Sequence, residues 1–233
     1  GIFNRVSMIK SAEEIEKTRA AAAVADQVYL LLREMIRPGL SEYEIYGAVK
    51  KKIYESGCEY SFDLIDGAGA AMNMSFFPTA DRLESGGTLF FEITPAYEGY
   101  YSQLPVTLPV DEYPSNVLKM VRTWDQSDRA AQKILRPGTK ISDIYRTLVD
   151  TVRENGFISP LEVGHDLGLD THGPLYVVES NDMIIQPGMV LAIHASVMSE
   201  MGGDACGMGY TYLITDKGAE RLSKMDLAGD LIG

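Results

Sequence analysis

Arg37-Pro38-Gly39-Leu40-Ser41-Glu42-Tyr43-Glu44-Ile45-Tyr46 reads as the end of one helix and the start of the next. Its pattern returns 99 residues later as Arg136-Pro137-Gly138-Thr139-Lys140-Ile141-Ser142-Asp143-Ile144-Tyr145. Proline removes a backbone donor and glycine accepts the left-handed turn that closes a helix, so each Pro-Gly is a stop signal. At the same offset Glu55 recurs as Glu154 and Gly57 as Gly156. Farther on, Gly86 and Glu92 match Gly188 and His194, each pair six apart, at an offset of 102. The chain therefore reads as two related halves, about 11–110 and 114–222, within a single domain spanning 1–233.

The elements around the repeat fit that division. Ser11 with Glu14 forms a capping box that opens a helix from Ser11 to about Ile36, with Ala20, Val24, Val28, Leu31, Leu32 and Met35 at helical spacing. Ser41 with Glu44 opens a second helix, to Ser56. Tyr60 to Ile65 reads as a strand leading into a glycine- and alanine-rich loop, 67–71. Thr88 to Thr94 is an apolar strand interrupted by Glu92, and after a turn at Tyr97-Glu98-Gly99 its hairpin partner runs from Tyr100 to Val110. Pro114 to Leu135 and Ser142 to Asn155 are the helices of the second half. Gly188 to His194 and Tyr210 to Thr215 are further strands, with a turn at Lys217-Gly218. One half cannot cover its own sheet, so the two should join face to face about a pseudo-twofold axis. The fold class is α+β, with helices backing a curved antiparallel sheet. The symmetry should place Glu92 and His194 on opposite sides of a central cleft, a usual place for a ligand.

Composition bounds the function. A chain of 233 residues can bury roughly 70% of its unfolded surface. A net charge of −12 would repel a nucleic-acid backbone. No run of 18 apolar residues suggests a membrane span. Two cysteines, Cys58 and Cys206, suit a reducing compartment, and the protein reads as cytoplasmic. The three histidines, His165, His172 and His194, lie within 30 residues of one another, two of them in the glycine-flanked run Gly164-His-Asp-Leu-Gly-Leu-Asp-Thr-His-Gly173. Histidine moves protons or binds metal near neutral pH.

The paired halves, the glycine-flanked His165, the Pro187-Gly188-Met189 strand start and the Tyr210 to Gly218 hairpin together resemble the pita-bread family. That family includes methionine aminopeptidases, prolidases, Xaa-Pro aminopeptidases and creatinase. The resemblance runs from about Ile9 to Leu222. Arg5 to Arg19 also resembles the junction of two-domain members, which implies the C-terminal, catalytic-type domain of a prolidase- or creatinase-like protein and, by the same likeness, a homodimer.

The family's metallopeptidases hold two ions with two aspartates, one histidine and two glutamates. By that resemblance the first aspartate falls on Glu92 and the second on Gln103. The histidine is His165, and the glutamates fall on His194 and Gly209. Two close divalent ions need several negative charges, which Glu92 alone does not supply, so the dinuclear site reads as degraded and no metal ligands or cofactor are assigned. His172 matches a family histidine near the scissile carbonyl, but the glutamate that usually follows it is Gly173. The upstream family histidine falls on Phe76 or Phe77. Creatinase, a metal-free member, is a partial precedent.

Three readings remain open. The first is a metal-independent hydrolase cleaving a C–N bond of a small peptide-like or amidino substrate. In it Glu92 or His194 is the base, and His165 and His172 donate to the oxyanion or leaving nitrogen. The second is a mononuclear site of His165, His194 and Glu92, assisted by Gln103 or Cys206. The third is an inactive module that binds a peptide or small molecule. Gln103, Phe76, Phe77 and Cys206, the last in a glycine-rich loop at the cleft mouth, are the substrate-binding candidates. Plainer roles stand beside these. Glu92 could pair with a cation, Cys206 could be a small filler, Tyr97, Tyr100 and Tyr101 could pack, and Asp166 and Asp170 could be turn residues.

Overall fold

The computed structural model describes residues 6–67, 74–160 and 162–232. Helix α1 (Ala12–Met35) starts at Ser11, whose hydroxyl accepts the Glu14 amide while the Glu14 carboxylate accepts the Ser11 amide, the predicted capping box. The box at Ser41 and Glu44 opens α2 (Glu42–Glu55) in the same way. The second half has α3 (Ser115–Gln132) and α4 (Ile141–Glu154), neither with a side-chain cap. Gly39 and Gly138, the repeated glycines, have φ of +87° and +94°, the left-handed conformation that side chains avoid. The repeat is thus a repeated backbone requirement. Among the described residues no helix is long and apolar enough to cross a membrane.

The strands divide between the halves with matching order. In the first, β1 (Tyr60–Ser61), β2 (Leu64–Asp66), β3 (Thr88–Ile93), β4 (Pro95–Tyr97), β5 (Tyr100–Tyr101) and β6 (Leu104–Pro109) form sheets ordered β2-β3-β6 and β1-β4-β5. In the second, β7 (Gly164–Asp166), β8 (Val190–Ile193), β9 (Ser196–Met198), β10 (Ala205–Gly207), β11 (Tyr210–Thr215) and β12 (Gly218–Arg221) form the sheet β7-β8-β11-β12 and the hairpin β9-β10. All pairings are antiparallel. Helix α1 lies on β4 and β5, and α3 lies on β9 and β10. A short helix, α5 (Leu227–Ile232), closes the chain against α3.

The halves meet along β6 and β11 through a reciprocal clasp. The Thr107 hydroxyl donates to the Gly207 carbonyl at 3.0 Å and accepts the Gly207 amide at 2.9 Å. The Thr211 hydroxyl does the same with Gln103, at 3.0 and 2.9 Å. Both partners shift by the same 104 residues (107 to 211, 103 to 207), as a twofold relation between the halves requires. One continuous apolar core, including Tyr29, Phe91, Trp124 and Tyr212, joins helices and sheets of both halves.

β11 keeps its expected span, but two of the expected strands are divided. The segment Tyr60 to Ile65 breaks at Phe62 and Asp63, because Asp63 is taken by Lys50 (2.6 Å) and by the Thr94 amide. The expected partner Tyr100 to Val110 divides into β5 and β6, which belong to different sheets. Chain direction changes after Ile93, where Pro95, which lacks an amide donor, starts β4. The glycine-rich loop at 67–71 lies, beyond Gly67, outside the described residues.

Candidate functional site

Strand alternation sets the first wall of the site. Along β3, Leu89, Phe91 and Ile93 enter the core, while Phe90 and Glu92 face a cavity of about 600 Å³. The other half contributes Pro160, Glu162, His172, His194, Ser196, Gly207 and Met208 to the same cavity. Glu92 and His194 therefore face one space from opposite halves, with Gln103 beside them.

Glu92 is 7% exposed and one of its carboxylate oxygens has no partner among the described residues. No cation pairs with it there, since Lys50 is engaged by Asp63. Burial pushes its carboxyl up to about 7, although a hydrogen bond from Gln103 and the nearby His172 pull the other way. The Gln103 side-chain oxygen is also buried without a partner among the described residues.

The histidines are brought together. His165 is buried on β7, its ring stacked on His172 at 3.9 Å between centroids, with His194 at 5.1 Å. Burial and its two neighbours push His165 down to about 2. His194, immediately past β8, donates its backbone N–H to the Val163 carbonyl, and burial lowers its imidazole to about 4. His172 moves the opposite way. Its Nε2 lies 3.5 Å from the Glu162 carboxylate, which raises its pKa above the ordinary 6.5. Glu162 went unrecognised in the sequence, because a carboxylate in the run Ser-Pro-Leu-Glu-Val reads as surface. Its spacing of three before His165 was the only available signal.

Several expectations are corrected. Cys206 is not in a loop at the cleft mouth. It is a fully buried residue of β10, its thiol pushed up to about 12 by burial, and the backbone turns its neighbour Gly207 to the cavity instead. Phe76 lines the cavity edge-on to Phe62, at 5.2 Å, whereas Phe77 is 78% exposed and is not among the lining residues. His165 does not line the cavity either; it sits behind His172. The mononuclear set with Glu92 is replaced in the geometry, as Glu162 is the carboxylate that joins His165 and His194. Asp166 is no turn residue. It ends β7, buried, 3.6 Å from Lys10 and accepting the Leu175 amide at 2.7 Å.

Gln103 brings a neutral amide to the cavity wall. At Gly209 an added Cβ would lie 2.5 Å from the His194 Cβ and from the Ile193 carbonyl oxygen, so no side chain can start there. Gly209→Ala is accordingly expected to cost ~1–3 kcal/mol through overpacking, visible as a lowered melting temperature. An unchanged melt would mean the strands shift to admit a side chain.

A model of metallopeptidase family M24 matches residues 16–216. The chain is 27% identical over 200 residues to a probable dipeptidase PepE of Mycobacterium tuberculosis, covering 84% of this chain and 53% of that protein. It is 28% identical over 193 residues to an uncharacterized peptidase of Staphylococcus aureus, covering 81% and 55%. The chain thus spans about half the length of the curated relatives it matches. Among solved structures, the prolidase from Pyrococcus furiosus superposes with a TM-score of 0.89 at 21% identity, over 97% of this chain and 68% of that one. The Xaa-Pro dipeptidase from Bacillus anthracis gives 0.89 at 20% identity, over 97% and 64%. The fold is that of these pita-bread proteins.

Proposed function

The chain belongs to metallopeptidase family M24, and from that premise we propose that its cavity hydrolyses a C–N bond of a short peptide or small amidino compound without a two-ion centre. One observation carries this reading. A buried carboxylate with a free oxygen, its pKa raised to about 7 by burial, shares a cavity with an imidazole whose pKa is shifted upward by its own acidic partner. Those are shifts in the directions that poise a general base and a general acid.

In the proposed reaction Glu92 takes a proton from water, whose oxygen attacks the carbon of the C–N bond. His172 gives a proton to the nitrogen as that bond breaks. The proton held by Glu92 then returns to His172, directly or through solvent, so the net change is addition of one water. Gln103 orients the Glu92 carboxylate, and Glu162 favours the charged form of His172. Phe62, Leu64, Phe76 and Phe90 supply an apolar wall for the substrate.

That apolar wall also favours a second reading, a module that binds a peptide or small molecule without turnover. The two separate in one assay. Xaa-Pro and other dipeptides, with guanidino compounds alongside, are screened for released amine across pH 5 to 9. The catalytic reading expects a bell-shaped profile near neutrality, its rising limb from Glu92 and its falling limb from His172. His172→Gln should remove the falling limb. Saturable binding with no release of amine at any pH would sink the hydrolase and leave the binding module.

A further inference from the structure

His165 and His194 each bury an Nε2 atom that has no hydrogen-bond partner among the described residues. For His165 the tautomer follows from its surroundings. Its Nδ1 lies 3.2 Å from the Asp166 carbonyl oxygen, which only accepts, so Nδ1 carries the proton and Nε2 presents a lone pair. A buried lone pair with nothing to receive it is the arrangement that metal-binding histidines show, one ring nitrogen fixed by a backbone carbonyl and the other free.

Glu162 completes a set. One ligand atom from each of Glu162, His165 and His194 falls within 4.8 Å of the other two. Two ligands of a tetrahedral zinc ion stand ~3.4 Å apart, from bond lengths of ~2.1 Å, so modest side-chain rotation would close the set. We propose that Glu162, His165 and His194 bind a single divalent ion of the zinc class, with its fourth position open to the cavity that Glu162 and His194 line. Two imidazoles and one carboxylate suit zinc or ferrous iron and not magnesium or calcium, which prefer all-oxygen shells. The set is not the two-ion arrangement. It draws on one residue that the family resemblance makes a ligand, one histidine standing where that resemblance puts a carboxylate, and a glutamate from outside it. His172, 3.5 Å from the Glu162 carboxylate, becomes the outer partner that orients that ligand.

The site goes beyond the proposed reaction, because neither Glu92 nor His172 is a ligand and binding is read without substrate. The test is zinc titration followed by calorimetry and by competition with a chromogenic chelator, on protein prepared without nickel resin. Wild type should bind one zinc per chain. Glu162→Gln, at a partly exposed position, should weaken binding at least tenfold with the fold intact, and His194→Gln should weaken it further. Cobalt in place of zinc should give the intense visible absorption of a four-coordinate ion. Glu92→Gln should bind as wild type does. Absence of stoichiometric binding to wild type would overturn the proposal, as would undiminished binding by both Glu162→Gln and His194→Gln, or loss of binding in Glu92→Gln alone.

Discussion

Glu92→Gln is expected to lower turnover of any substrate by ~10²–10⁴-fold, the usual worth of a general base, while changing stability in a pH-dependent direction that identifies the cause. Glutamine keeps the size and the hydrogen bond to Gln103 but cannot take a proton from water. The carboxyl in the folded protein sits at about 7, against 4.5 for an ordinary glutamate, with burial as the main cause. The folded state therefore holds this proton more tightly than the unfolded chain between those values. Stability from this group is fully present below pH 4.5 and is lost as pH rises through 7. The shift corresponds to ~3 kcal/mol. Glu92→Gln should thus match wild type in denaturant unfolding near pH 4.5 and exceed it by up to ~3 kcal/mol at pH 8. Equal destabilisation at both pH values would instead make Glu92 a structural hydrogen-bond partner with no poised acid to lose.

Lys10→Met should be the most damaging single change outside the cavity. Lys10 and Asp166 are 5% and 2% exposed, and their charges lie 3.6 Å apart. Burial shifts both groups against ionisation, lowering the lysine and raising the aspartate, while their mutual attraction offsets part of that cost. Removing the cation leaves the carboxylate buried and unpaired, which costs ~3–5 kcal/mol. The damage should reach the cavity. The Asp166 carboxylate holds the Leu175 amide and its carbonyl holds the Gly173 amide, closing the loop that carries His172. The double variant Lys10→Met/Asp166→Asn should recover much of the loss, since the uncompensated charge is gone. A single variant costing under ~1 kcal/mol, measured by urea unfolding, would show that water reaches the pair.

What was legible in the sequence is what local rules govern. The capping boxes at Ser11 and Ser41 and the left-handed glycines at 39 and 138 are each decided by a few adjacent residues, and they located the helices and the repeat. The repeat in turn placed Glu92 and His194 in one cavity. The failures share a different cause. The expected hairpin partner Tyr100 to Val110 divides between two sheets, because Pro95 and the Asp63 side chain, 31 residues upstream of the Thr94 amide it holds, redirect the chain. Cys206 looked like a loop residue because its glycine neighbours suggested one, yet the turn ends before it and Gly207 serves close strand contact with Thr107. The Lys10–Asp166 pair depends on which side chains meet across the fold, of which spacing along the chain carries no sign, and Glu162 is marked only by its place three before His165.

Gly209 and Gly173 also bear on the history open to this protein. At both positions the family resemblance would put a glutamate, and at both the space for a first side-chain carbon is already taken. At Gly209 it is filled by His194 and the Ile193 carbonyl, and at Gly173 by the Asp166 carboxylate. Restoring either carboxylate by one substitution would collide with a residue that now has other work. His194 would have to give way before Gly209 is substituted, and Asp166 before Gly173. A carboxylate at either position therefore needs its neighbour to move or change first, and the order of mutational steps is constrained.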